Sequence, residues 1–202
     1  VINGWYLYQA LSSRILAKAG YYQVSGAFGY RDQLQDSMNI AMIKPDFTRE
    51  QILVNASHQF VEGDVLHWWH DDTKRGVRTK FSDDLLWLPY AVIEYVEFMN
   101  DYEFLNQEVE YLTGNILEKE EQEKYDTFYI GKEKETVFGH CIRAIERSFN
   151  FGENGFPKIG CGDWNDGFSN IGTKGIGESV WLGFFLYDIF EYISGSFYTR
   201  RF

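Results

Sequence analysis

The sequence predicts an all-α fold of stacked helical hairpins, as in α/α barrels. Apolar residues recur at helical spacing along most of the chain, and short turns alternate with long loops between the helical segments. Strand patterns are weak everywhere except over Tyr21–Val24. At 202 residues the chain is long enough for one domain, residues 1–202, and too short for several.

About seven helices are expected. Each has apolar residues three and four apart, and most have a capping or helix-breaking residue at one end. In chain order they are Trp5–Ala19 before Gly20, Gln33–Ile43 before Pro45, Arg49–Val61 capped by Thr48, Ser82 towards Met99, a weaker acidic helix over about Gly114–Tyr125, Thr136–Phe149 and Ser179–Ile193.

Two long loops are expected between these helices, Gly63–Arg78 and Gly152–Gly177. Connections in compact domains are usually ~4–6 residues, and much longer ones are usually functional or disordered. Together with a glycine-rich stretch before Gln33, they are polar and aromatic at once. A sugar site needs this combination, because aromatic rings cover the C–H face of a pyranose and forked polar groups bind its vicinal hydroxyls.

The charge excludes one class of partner. A net charge of −11 without any basic cluster argues against nucleic acid, whose phosphates require a positive surface.

No stretch approaches the ~20 apolar residues that cross a bilayer, and Val1–Tyr8 lacks the basic start of a signal peptide. Because Cys141 and Cys161 form at most one pair and no disulfide framework, a reduced, cytoplasmic protein is expected.

The first candidate segment runs from Ser25 to Gln33, where Arg31 and Asp32 stand at the entry to a helix. Both side chains can contact two neighbouring sugar hydroxyls. An alternative is equally open at this point: Asp32 is a simple N-cap and Arg31 is exposed.

The second candidate segment is Gly63–His70, with Trp68 and Trp69 between His67 and His70. Histidines donate to sugar hydroxyls or, when charged, to phosphate. A metal pair of the two histidines is the alternative, but no third ligand stands at a suitable spacing, so no metal site is expected. The segment continues through Arg78 and Thr79 to two aspartates that either cap the next helix or leave one carboxylate free, Asp83 and Asp84.

The third candidate segment, Lys158–Gly167, brackets Trp164 and an asparagine with Asp163 and Asp166. Cleaving a glycosidic bond requires a carboxylic acid that protonates the departing oxygen. The alternative, a calcium-binding turn, fails because the EF-hand ligand pattern is not met. Composition alone does not choose between the two carboxylates.

Together these motifs resemble glycoside hydrolase family 94, which contains inverting phosphorylases and the phosphorylase-like domain of cyclic β-1,2-glucan synthases. The runs that carry the resemblance are GAFGYRDQLQD (Gly26–Asp36), GDVLHWWH (Gly63–His70), RGVRTKFSDDLLWLPYAV (Arg75–Val92), GDWNDG (Gly162–Gly167) and GESVWLGFFLY (Gly177–Tyr187). HWWH and RGVRT look closest to the β-1,2-glucan branch of the family.

The resemblance implies Asp166 as the general acid, Trp164 as the lining of the non-reducing sugar subsite, and Arg31 and Asp32 as residues that grip the sugar. Nearby binding roles are implied for a further set: Asp163, Trp68, Trp69, His70, Arg78 and Thr79. The implied co-substrate is inorganic phosphate, which attacks the anomeric carbon of a β-glucoside oligosaccharide and gives α-glucose 1-phosphate. No cofactor is implied.

The resemblance also implies that the chain is a fragment, about half of an (α/α)6 barrel of six helical hairpins. The family's phosphate-binding segments have no counterpart before Phe202. Because an open half-barrel exposes apolar helix faces, we expect a homo-oligomer. Two alternatives to a phosphorylase stay open: an inverting hydrolase with Asp163 or Asp32 as its base, and an inactive sugar-binding fragment.

Overall fold

The expectation of an all-α fold is wrong, because the chain also forms two antiparallel sheets. The computed structural model describes residues 1–16 and 26–199. The strands are β1 (Phe28–Gly29), β2 (Leu66–His70), β3 (Arg75–Thr79), β4 (Glu108–Thr113), β5 (Glu123–Thr127) and β6 (Tyr129–Thr136). One sheet has four strands in the order β1-β2-β3-β5, and the other pairs β4 with β6.

The described α-helices are α1 (Leu7–Gln9), α2 (Tyr30–Ile40), α3 (Pro45–Ala56), α4 (Asp84–Met99), α5 (Val137–Ser148), α6 (Ser169–Gly172) and α7 (Val180–Thr199). Two π-helical stretches flank α1, Ile2–Tyr6 and Ala10–Ile15, so the first predicted helix exists as far as it is described. The stop at Gly20 and the strand over Tyr21–Val24 lie outside the described residues. None of the described helices is long and apolar enough to span a membrane.

Capping residues located one helix start correctly and another wrongly. Thr136 caps α5, since its hydroxyl accepts from the backbone N–H of Gly139 at 3.0 Å. The predicted cap at Thr48 is wrong, because Pro45 occupies the first turn of α3 and Thr48 lies inside it. The Thr48 hydroxyl instead donates to the carbonyl of Ser37 at 2.7 Å, which ties α3 to α2.

Two segments were predicted wrongly. The expected loop Gly63–Arg78 contains the hairpin β2–β3, in which Trp69 lies opposite Gly76. The expected acidic helix over Gly114–Tyr125 is absent, and its last residues belong to β5, which pairs with β3. Each hairpin strand also has a partner distant in sequence, β1 for β2 and β5 for β3, which local periodicity does not report.

The core is centred on α4, which packs against α2, α3, α5 and α7. Leu86, Leu88 and Ala91 of α4 are fully buried. The four-stranded sheet closes one side of this helical layer through Trp69, whose ring contacts Phe28 and Tyr30. The starts of α2 and α4 and the loop before α7 therefore meet beside β2. Cys141 and Cys161 are both buried and free.

Candidate functional site

Arg31, in the first turn of α2, is buried and joins three distant segments. Its Nη1 donates to Asp83 Oδ2 at 3.0 Å and to the backbone carbonyl of Asp163 at 3.3 Å. Its Nη2 donates to Asp166 Oδ1 at 2.8 Å. Burial alone would lower the pKa of Arg31, but Asp83 and Asp166 raise it above its ordinary value, so the guanidinium remains charged. The first and third glycine-rich segments thus meet at one point.

Asp83 and Asp84 stand together at the start of α4, and both are almost completely buried. Burial, and next the charge of Asp84, raise the pKa of Asp83 above its usual range. Asp83 Oδ2 also accepts from Trp87 Nε1 at 3.0 Å. In each carboxylate the other oxygen, Oδ1, has no partner among the described residues, so acceptor capacity remains beside Arg31.

His67 reaches this cluster from β2. The register of β2 against β3 shifts between Leu66 and Trp68, so His67 is the extra residue of an irregularity that turns its side chain out of the ladder. Its Nδ1 donates to Asp84 Oδ2 at 2.7 Å, and its ring stacks on Phe81 at 4.4 Å. Burial would lower the pKa of His67, but Asp84 raises it to about 8, so the ring is mostly charged at neutral pH.

The third segment holds its two aspartates in different environments. Asp163 is buried; its Oδ1 accepts from the Asn165 N–H at 2.9 Å and its Oδ2 from the Ser179 hydroxyl at 2.7 Å. Asp166, by contrast, leaves 61% of its side chain exposed, and Trp164 is 54% exposed. The loop therefore presents one carboxyl group and one indole to solvent, while the other carboxylate fastens the loop to the start of α7.

The same loop is fixed to the segment before α4. The Ser82 hydroxyl lies 3.0 Å from the carbonyl of Ile159 and 3.2 Å from that of Gly162. The Cys161 N–H donates to the carbonyl of Lys80 at 3.2 Å. These contacts hold the loop that carries Asp166 in a defined position.

Comparison with known proteins agrees with this arrangement. The profile of the family described as "Glycosyl hydrolase 94 superfamily, catalytic domain" matches residues 1–196. The chain belongs to this family. The resemblance expected from the sequence motifs is confirmed.

Several relatives of the chain are named as a glucan synthase or as phosphorylases. The chain is 46% identical over 190 residues to the cyclic β-(1,2)-glucan synthase NdvB of Rhizobium meliloti. The aligned region covers 92% of this chain and 7% of that protein. It is 30% identical to a solabiose phosphorylase of Paenibacillus borealis, over 93% of the chain and 21% of the relative. An N,N′-diacetylchitobiose phosphorylase of Vibrio furnissii is 26% identical, over 91% and 24%. The chain thus spans at most about a quarter of these relatives.

Three further residues of this family 94 chain were predicted to bind substrate: Asp32, Thr79 and Trp69. Asp32 is half-buried beside Arg31 in the first turn of α2. Thr79 is buried, and its hydroxyl accepts from the Phe81 N–H at 3.2 Å. Trp69 is a core residue, and its Nε1 donates to Asp71 at 3.1 Å. Their binding roles stay predictions.

Arg78 is buried in a network of its own. It donates from Nε and Nη2 to both oxygens of Asp64 at 2.6 Å, and from Nη2 to Glu62 at 2.8 Å. Nη1 donates to the carbonyl of Asn115 at 3.1 Å, and the guanidinium lies 3.9 Å from the centre of the Phe60 ring. These contacts occupy most of the hydrogen-bond donors of Arg78 and connect β3 to neighbouring loops. The predicted contact of Arg78 with substrate stays a prediction.

Trp68 and His70 lie on the face of the sheet opposite Trp69, half-buried and in contact with each other. No group of three or more His, Cys, Asp or Glu side chains within residues 1–16 and 26–199 is arranged to hold a metal ion. From the sequence, Asp83 and Asp84 were open between helix caps and one free carboxylate, and His67 was considered only as a donor to sugar or phosphate or as half of a metal pair. The signal for them was the pair of adjacent acids, of which a cap uses only one.

Proposed function

We propose that this chain carries the acid and part of the sugar site of an inverting glycoside phosphorylase for β-linked glucosides. Membership of family 94 and the phosphorylases among its relatives support this reaction class. The identity of 46% to a cyclic β-(1,2)-glucan synthase favours a β-1,2-linked glucan as the substrate. Inorganic phosphate is the proposed co-substrate.

Asp166 is the proposed general acid, and its exposure beside Trp164 is the observation that carries the proposal. A proton donor must reach the glycosidic oxygen, and a pyranose needs a flat apolar surface close by. Asp163 meets neither need, since both its oxygens are hydrogen-bonded inside the protein. The contact of Arg31 with Asp166 fixes the position of the carboxyl group.

In the proposed reaction a phosphate oxygen attacks the anomeric carbon as the glycosidic C–O bond breaks. The departing oxygen takes the proton of Asp166, and the products are α-glucose 1-phosphate and a chain one glucose shorter. Because phosphate is itself the nucleophile, a carboxylate base is not needed; an inverting hydrolase requires one to activate water. The acceptor oxygens of Asp83 and Asp84 beside Arg31 suit hydroxyls of the reacting glucose.

The test replaces the two aspartates separately by asparagine, at the matching positions of the intact solabiose phosphorylase. Asp166→Asn should lower phosphorolysis of the natural substrate by ~10²–10⁴-fold, the typical contribution of a positioned acid. A glucosyl fluoride needs little protonation of its leaving group and should react at a much smaller disadvantage. Asp163→Asn should lower both reactions together, because it loosens the loop that carries the acid.

Three results would contradict the proposal. Near-normal phosphorolysis by Asp166→Asn would remove that residue from the acid role. If Asp163→Asn lost phosphorolysis of the natural substrate but kept the reaction of the glucosyl fluoride, Asp163 would be the general acid in place of Asp166. For this chain, glucose release from a β-1,2-linked oligosaccharide at the same rate with and without phosphate would indicate the hydrolase alternative instead.

A further inference from the structure

The outer face of the four-stranded sheet carries aromatic and basic side chains that the site described above does not use. Cross-strand partners share a face, and Trp68 lies opposite Val77, which lies opposite Tyr125. Two residues further along each strand, His70 lies opposite Arg75 on the same face. We call this set, Trp68, His70, Arg75 and Tyr125, the aromatic face.

The four side chains form a connected surface. The rings of Trp68 and Tyr125 lie 5.4 Å apart, and Trp68 lies 5.5 Å from His70. The Arg75 guanidinium stands 4.3 Å from the centre of the Tyr125 ring, so its planar group is held in place. Tyr125 is 43% exposed. The face combines apolar rings with fixed hydrogen-bond donors, the two features that a pyranose chain requires.

Residues of the aromatic face are chain neighbours of residues in the acid site. Gly29 of β1 lies opposite Trp68 at the edge of the sheet, and Arg31 follows two residues later in the chain. His67, which bonds to Asp84 in the site, is the neighbour of Trp68 on β2. The same two strands, β1 and β2, therefore lead into both the aromatic face and the acid site.

We propose that the aromatic face is a distal subsite that binds further glucose units of a neutral β-glucan chain. The proposal rests on the proposed function, since it places the first glucose units at Asp166 and Trp164. The chain's net charge of −11 favours a neutral ligand over an acidic one. Tyr125 and Arg75 supply affinity for longer oligosaccharides and none for a disaccharide.

The test measures binding of β-1,2-linked glucose disaccharide and hexasaccharide to the 202-residue chain by isothermal titration calorimetry. Tyr125→Ala should weaken hexasaccharide binding by about tenfold and leave disaccharide binding unchanged. Arg75→Met should act in the same direction. Tyr129→Ala is the matched control, because Tyr129 is a 64% exposed strand tyrosine of the other sheet and should change neither affinity.

The outcomes separate this subsite from the acid site. Equal hexasaccharide affinity in wild type, Tyr125→Ala and Tyr129→Ala overturns the subsite, as does a hexasaccharide that binds no better than the disaccharide. Trp164→Ala should weaken the disaccharide. If it does not, while Tyr125→Ala still weakens the hexasaccharide, the proposed function fails and the aromatic face stands as a glucan-binding surface. Circular dichroism of each variant separates lost binding from lost folding.

Discussion

Replacing Gly160 by alanine should displace the loop that carries Asp166. Gly160 has a φ of +64°, in the left-handed region that L-residues with a side chain rarely adopt. A Cβ built on it would lie 1.8 Å from the carbonyl oxygen of Lys80, which is backbone and cannot rotate away. The same carbonyl accepts from the Cys161 N–H, so relief of the contact breaks a hydrogen bond.

The expected magnitude follows from three contributions. The left-handed conformation costs about 1–2 kcal/mol for a residue with a Cβ. Loss of the hydrogen bond between Cys161, which is buried, and Lys80, which is half-buried, adds about 1–3 kcal/mol. Reduced freedom of the unfolded chain returns about 0.4–1 kcal/mol. Gly160→Ala should therefore lower the free energy of unfolding by about 3 kcal/mol.

Gly155→Ala is the matched control. Its φ is +84°, yet nothing lies within 4 Å of the added Cβ, so only the backbone contribution applies. Its loss should be about 1 kcal/mol or less. Urea unfolding followed by tryptophan fluorescence measures both variants. Equal losses in the two would refute the reasoning, because the close approach to Lys80 would then carry no energy.

Two further predictions concern charge and association. Asp84 raises the pKa of His67 to about 8 in the folded chain, and this shift stabilises the fold by about 2 kcal/mol. The stabilisation is fully present below pH ~6.5 and is lost as the pH rises through 8. In an NMR titration Asp84→Asn should lower the pKa of His67, and an unchanged pKa would exclude the ion pair. The exposed apolar side of α7 should mediate self-association of the chain, so light scattering should give a mass above that of the monomer for wild type. Phe184 is 71% exposed on this side, and Phe184→Asp should shift the mass towards that of the monomer. A monomeric wild type contradicts this prediction.

The helices could be read from the sequence because their signals are local. Ser82 at one end and the apolar spacing towards Met99 located α4, and Thr136 located the start of α5. The boundary of α3 was misplaced because Pro45 and Thr48 both mark helix starts, and the proline prevailed.

The strands could not be read in the same way. Lys132 to Glu135 of β6 is charged throughout, and LHWWH of β2 does not alternate because an irregularity shifts its register. Their pairing depends on residues far along the chain, such as Val77 opposite Tyr125. Long-range pairing leaves no periodic trace in a single sequence, so an all-α prediction resulted.

The candidate site shows the same division between local and distant information. Residue types and glycines pointed to the segments around Arg31 and Asp166, and these two residues do meet. That Asp163 faces inwards could not be foreseen, since its second partner, Ser179, stands sixteen residues later. Likewise, the bond of His67 to Asp84 requires a sheet that the sequence did not predict.

Arg31 joins an enclosed contact to an exposed one. One guanidinium holds the start of α4 through Asp83 and the acid loop through Asp166. Its contact with Asp83 is fully enclosed, whereas its contact with Asp166 is made to a side chain that is 61% exposed. Under the proposed function, a sugar that enters beside Trp164 competes for the exposed contact and leaves the enclosed one intact. The charge that anchors the start of α4 is then also the charge nearest the proposed sugar.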